Sequence, residues 1–201
     1  MLTALTSRKP RPIAELGLSF AILTSALVVT IAQGAAPPPS SSITLVSDSE
    51  PGQRLTIHGR VGGENGKPVA GARLHVYQTD ASGRYTPGKP MDEPHARLAG
   101  WLRTDMDGKF ELHTIRPGGY PKAVRLGDRD RKIPAHIHID ITADGYAPRK
   151  VQVVFSDDPR LSDPYWQDWV RTQGQPVVTV SQSTAGQAAD LVLSLRLGSS
   201  H

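Results

Sequence analysis

Residues 131–141 read RKIPAHIHIDI and hold two histidines, His136 and His138, two positions apart. In an extended strand, residues i and i+2 share a face, so both imidazoles can reach one metal ion from a rigid support. The same spacing also fits a half-buried strand whose polar side is wet, with Ile137, Ile139 and Ile141 forming the buried side. Two of the five tyrosines fall in glycine-rich loops, in Gly83-Arg84-Tyr85 and Gly118-Gly119-Tyr120-Pro121. A tyrosine in such a loop either edges a site or covers one end of a β fold. Phenol and imidazole together offer oxygen and nitrogen donors, the set that suits a hard or borderline metal ion.

The elements that would carry these residues are short strands. Residues 54–61, 72–80, 135–142, 150–155, 176–182 and 189–198 read as strands, the first three alternating apolar and polar side chains as a strand with one buried face does. Turn chemistry separates them: Asn65-Gly66, Asp107-Gly108 and Asp144-Gly145. Residues 100–115 are predicted to form a hairpin turning at Asp107-Gly108, and DPYWQDWVRTQ at 163–173 a short helix on which Trp166 and Trp169 face the sheets. No long helix lies between strands, which argues against a parallel α/β sheet. The expected fold is all-β, an antiparallel β-sandwich with long loops and at most short helices.

Gly and Pro number 19 and 17 in 201 residues, in keeping with many turns. With no cysteine, disulfides, zinc–thiolate sites, iron–sulfur clusters and thiol nucleophiles are excluded. Residues 1–36 read as a signal peptide or an N-terminal anchor. Arg8, Lys9 and Arg11 precede an uncharged apolar stretch from Leu16 to Ala32, followed by small residues suited to cleavage. The stretch is at the short limit for a membrane span, so the expected location is exported, periplasmic or secreted. The alternative is a membrane-anchored protein facing outward. Residues 37–50, rich in Pro and Ser, are expected to be a disordered tether, leaving 51–201 as the folded domain. Removing the three cations and one carboxylate of residues 1–36 leaves 20 cations against 18 carboxylates, which supplies no electrostatic case for nucleic acid.

Three blocks together resemble the intradiol ring-cleavage dioxygenases, the catechol and protocatechuate 3,4-type non-haem iron enzymes. They are GRVGGENGKPVAGARLHVYQTDASGRY (59–85), GWLRTDMDGKFELHTIRPGGYP (100–121) and PAHIHIDITADGYAPRKVQVVF (134–155). The resemblance implies that Tyr85, Tyr120, His136 and His138 hold Fe(III). Ferric iron is hard and favours anionic oxygen, and a trivalent ion beside a phenol drives off a proton otherwise lost near pH 10. The implied substrates are a small aromatic diol and O2, and the implied product is a muconate-type diacid. Tyr120 is expected to leave the metal and take a substrate proton as general base.

Two positions depart from the family pattern. Ile133 stands where the family has an arginine, three residues before the first histidine. Lys132 is the nearest cation, with Arg131 beside it, and is assigned the arginine's part provided the strand bulges by one residue. Val153 stands where a glutamine is expected, with Gln152 adjacent, and Lys122 follows the second tyrosine where protocatechuate enzymes often have Trp. GKPVAGARLHVY (66–77) also resembles prealbumin-like modules, so two alternatives remain: a non-catalytic binding module, and an iron-binding homologue without ring cleavage. His58, His75, His95 and His113 are read as ordinary strand or surface histidines.

Overall fold

The structure, a computed structural model, describes residues 40–87, 93–121 and 132–198. Twelve strands are found among them: β1 (Ser42–Thr44), β2 (Arg54–Gly63), β3 (Arg73–Gln78), β4 (Leu98–Arg103), β5 (Lys109–Ile115), β6 (Tyr120–Pro121), β7 (Lys132–Ile133), β8 (His136–Thr142), β9 (Arg149–Phe155), β10 (Val177–Val178), β11 (Ser181–Ser183) and β12 (Gly186–Leu195). Helix α1 (Pro164–Gln173) precedes β10, and short 3-10 turns cover Glu93–His95 and Pro159–Ser162.

The strands form two five-stranded sheets, ordered β1-β5-β2-β12-β11 and β10-β9-β8-β3-β4, and one two-stranded ladder, β6-β7. Alternation drives the layering. In β12 every second residue is buried, and in β8 Ile137, Ile139 and Ile141 are 1% exposed. These side chains meet Leu55, Ile57, Val61, Leu112, Leu191 and Leu193 of the other sheet in one core. Burial at each site removes apolar area worth about 25 cal/mol per Å2.

Three sequence expectations need correction. The sandwich is not wholly antiparallel: β1 runs parallel to β5, β12 to β2 and β10 to β9. A strand with one buried face has period two whichever way its neighbour runs, so alternation carries no directional information. Residues 100–115 are not a hairpin, because β4 pairs with β3 and β5 with β2 in the opposite sheet. The Asp107-Gly108 turn is real, with Asp105 accepting from the Asp107 and Lys109 amides. It follows a crossing at Thr104, whose buried hydroxyl accepts from the Ala72 amide and donates to the Val69 carbonyl, so the chain changes sheet there. Within the expected tether, Ser42–Thr44 is a strand. Ile43 and Leu45 pack against the core, and the Ser40 and Ser41 carbonyls accept from Arg103 and Glu111.

β8 and β9 pair antiparallel, as expected for residues 135–142 and 150–155. The helix forms where expected, with Asp163 capping the Tyr165 amide and Gly174 ending it in the left-handed region. Trp166 is buried, edge-on to Trp169. The leader, residues 1–36, lies outside the described residues. Among the described residues, no helix is long and apolar enough to cross a membrane.

Candidate metal centre

β8 sends its isoleucines into the core and His136 and His138 to the other side of the sheet, as the period of a strand requires. That side is not wet here: the two histidines are 3% and 6% exposed. Loops from β3, β5 and the β6-β7 ladder roof them over and bring in the two tyrosines.

The glycines flanking those tyrosines let the two loops touch backbone to backbone. Gly83 has φ +80, and a Cβ there would stand 2.5 Å from the Gly119 carbonyl oxygen. A Cβ on Gly118 would stand 2.5 Å from both the Ala81 carbonyl oxygen and the Gly83 nitrogen. Only glycine permits that approach. The Asp80 carboxylate knots the first loop by accepting from the Ser82 and Arg84 amides. The Gly118 amide donates to the Asp80 carbonyl and the Thr79 hydroxyl to the Gly118 carbonyl, tying the loops together. Tyr85 and Tyr120 thereby lie 2% and 6% exposed in one cluster with Tyr77.

The four inward atoms close a circuit. Tyr85 Oη is 3.1 Å from Tyr120 Oη and 2.8 Å from His138 Nε2. His136 Nε2 is 2.9 Å from His138 Nε2 and 3.4 Å from Tyr120 Oη. Two ligands bound about 2.0–2.1 Å from a common ion at about 90–110° lie about 2.8–3.4 Å apart, so all four spacings suit one metal ion. The tautomers suit it too. His136 Nδ1–H donates to the Pro134 carbonyl at 2.8 Å, leaving the Nε2 lone pair facing inward.

Electrostatics agree with the geometry. Burial lowers the His136 pKa, and burial together with the neighbouring His136 lowers that of His138 to about 3, so both rings are neutral at ordinary pH and free to offer a lone pair. Burial raises both phenols above their usual range. The Tyr85 hydroxyl favours a Tyr120 phenolate, but burial outweighs it, and a bound cation would supply the charge that ionises the phenols. Among the described residues, no group of three or more His, Cys, Asp or Glu is placed to hold a metal. The site depends on its phenols.

The structure therefore brings together Tyr85, Tyr120, His136 and His138. It does not bring in Lys132, which is exposed on β7, while the half-buried Ile133 packs against the tyrosine cluster. No bulge shifts the register, since Tyr120 pairs with Ile133 and Pro121 with Lys132. The glutamine expectation also changes. Gln152 lies directly opposite His138 and so shares its face, whereas Val153 pairs with Ile137 and belongs to the core. Lys122 and Arg131 lie outside the described residues.

Three neighbours went unread in the sequence. Tyr77 stacks on His138 with ring centroids 4.4 Å apart and planes 6° off parallel. Its shared face with His138 follows from strand pairing, which period two does not reveal. Glu93 accepts from the Tyr77 hydroxyl at 3.2 Å and lies 3.8 Å from His138 Nδ1. Asp158, 5% exposed, accepts from the Ala135 amide at 2.7 Å and from the Arg160 amide at 2.9 Å, fixing the backbone just before His136. The four other histidines among the described residues supply none of the four inward donors. His58 and His113 flank Glu111 on the other sheet, His75 lies between Tyr77 and Trp101, and His95 ends the 3-10 turn.

A β-sandwich whose loops converge two phenols on a His-x-His strand matches a known class. A family model described as Dioxygenase matches residues 31–198, and the chain belongs to that family, the intradiol ring-cleavage dioxygenases. A chlorocatechol 1,2-dioxygenase of Rhodococcus opacus is 39% identical over 121 residues, 56% of this chain and 47% of its own length. The protocatechuate 3,4-dioxygenase beta chain of Burkholderia cepacia is 37% identical over 131 residues, 61% of this chain and 54% of its own. The chain thus spans about half the length of these curated relatives. Among solved structures, one similar chain is the dioxygenase domain of a dioxygenase carbohydrate-binding protein fusion from Streptomyces sp. SirexAA-E. It has a TM-score of 0.59 and 28% identity, covering 83% of this chain and 96% of that one. The catechol 1,2-dioxygenase of Pseudomonas arvilla C-1 shares the fold, with a TM-score of 0.65, 22% identity, and coverage of 83% of this chain and 60% of that one.

Proposed function

We propose that this chain is an exported Fe(III) dioxygenase that opens a catechol-type aromatic diol between its two hydroxyl-bearing carbons, with O2, to a muconate-type diacid. The observation that carries the reading is the closed circuit of two phenol oxygens and two imidazole nitrogens, with spacings of 2.8–3.4 Å. Tyr85, Tyr120, His136 and His138 would hold the ion, which when bound supplies Lewis acidity and a template for the diol.

The chain's own groups divide the remaining work. The neutral histidines add no charge, so two phenolates and one hydroxide balance a trivalent ion. Tyr85 Oη is held by the two closer contacts of the circuit, 2.8 and 3.1 Å, and suits a permanent ligand. Tyr120 Oη has the looser pair, 3.1 and 3.4 Å, and suits the phenol that gives way to substrate and takes its proton at Oη. Burial beneath the loops keeps water from the reacting carbon.

The test is direct. Protein supplied with ferric iron should bind one ion per chain, turn red-brown through phenolate-to-iron charge transfer, and consume O2 when given a catechol. Colourless, iron-free protein would end the reading. Ile133, set against the tyrosine cluster where a cation was expected, favours one second reading, an iron-binding homologue without ring cleavage. Coloured protein that takes up no O2 with any diol would establish that alternative. Export is supported by the composition of residues 8–36, and amino-terminal sequencing of protein from the culture medium or periplasm tests it.

A further inference from the structure

A row of rings leads away from the metal centre along the outer face of its sheet. Tyr77 stacks on His138, His75 lies 5.1 Å from Tyr77, and Trp101 stacks on His75 at 4.5 Å and 22°. Register explains the row. Tyr77 pairs with His138 across β3 and β8, His75 is two residues along β3, and Trp101 pairs with His75 across β3 and β4. The row begins on a buried ligand and ends on a tryptophan that is 57% exposed. The phenol in the row also has a proton acceptor, the Glu93 carboxylate, 3.2 Å from Tyr77 Oη.

We propose that His138, Tyr77, His75 and Trp101 form a one-electron exit from the metal centre to the surface, which draws oxidising equivalents away from the four ligands when a hydroperoxide meets the site without substrate. This rests on the iron-site reading above. In each step Tyr77 gives up an electron towards the site while its phenolic proton passes to Glu93. Trp101 then fills the Tyr77 radical through the intervening His75, and Glu93 returns the proton. Trp101 loses its indole proton to solvent, helped by the Arg73 guanidinium 5.5 Å from its ring, which disfavours a cationic radical. Hydrogen peroxide takes two electrons and two protons to become two waters. Trp101 supplies both electrons and, adding one water, releases two protons. The net change is peroxide plus tryptophan giving water plus tryptophan bearing one oxygen.

The experiment uses the full chain loaded with ferric iron, its iron content and visible band recorded first, then treated with hydrogen peroxide in the absence of any diol. Peptide mass spectrometry should find one added oxygen on Trp101 well above the level in metal-free protein, with the half-exposed Trp169, off the row, unchanged between the two. Tyr77→Phe keeps a ring against His138 but has no phenolic proton. In it, Trp101 oxidation should fall to the metal-free level, while oxygen appears on the His136, His138 and Tyr85 peptides and the visible band bleaches faster. Trp101→Phe should bleach faster too, which covers the case that Tyr77→Phe folds poorly. Equal Trp101 oxidation with and without iron, or no effect of either variant, overturns the exit path and leaves the iron site standing. A chain that binds no iron overturns both.

Discussion

Metal-free protein should lose stability in mild acid through the two buried histidines. The folded state holds the His138 pKa at about 3, against about 6.5 in an unfolded chain. A histidine with a depressed folded pKa stays neutral when folded and takes a proton when unfolded. Below pH 6.5 the unfolded state therefore binds more protons, and stability falls as pH falls. At pH 5 the unfolded ring is almost fully charged and the folded ring is not, which costs about 2 kcal/mol for His138 alone at 1.36 kcal/mol per pH unit. For a domain of this size that lowers Tm by about 4–8 °C between pH 7 and pH 5. His136 shifts in the same direction and adds to the loss. The assay is a series of melts of metal-free protein from pH 7.5 to 5, with His138→Gln beside it. The range stays above the region where Glu50 and Asp157, both depressed by arginine partners, give up their contributions. The variant should show a clearly shallower slope. Equal slopes would mean that His138 is not buried neutral, and the donor geometry would fail with it.

Other perturbations follow from single contacts. Gly83→Ala forces a Cβ against the Gly119 carbonyl at a left-handed φ, and should cost about 1–3 kcal/mol and weaken iron binding by parting the two tyrosine loops, read by melting and by chelator competition. Asp158→Ala strips the Ala135 and Arg160 amides of their acceptor and should cost about 1–3 kcal/mol, with a faster release of iron from a loosened His136. Lys132→Ala, at an exposed side chain away from the donors, should leave iron content and turnover near the starting values; a large loss of turnover would return Lys132 to the reaction. His138→Ala should abolish the visible band, and a band of full strength would remove His138 from the ligand set.

Local signals pointed to parts of the site, and the resemblance of three sequence blocks to the dioxygenase family joined them into one candidate donor set. His136 and His138 stand two apart in a strand, and that spacing fixes a shared face without any knowledge of neighbours. Tyr85 and Tyr120 carry glycines near them because two loops touch there, so the steric need is written next to each tyrosine. Lys132 and Ile133 show where local reading ends. Which of two adjacent residues points inward was decided by pairing with Tyr120 and Pro121 across the β6-β7 ladder. Gln152 and Val153 divide the same way, by the register of β9 against β8.

The sequence by itself determined the longer strands, their buried faces and the turns, which follow from side-chain period and backbone sterics within a few positions, and its resemblance to the family named four candidate donors. Only the tertiary structure decided strand direction, the crossing at Thr104, the ring row from His138 to Trp101, and the placing of Glu93 and Asp158. Those depend on which strand or loop lies beside which, and contacts between residues far apart in the chain leave no periodic trace in it.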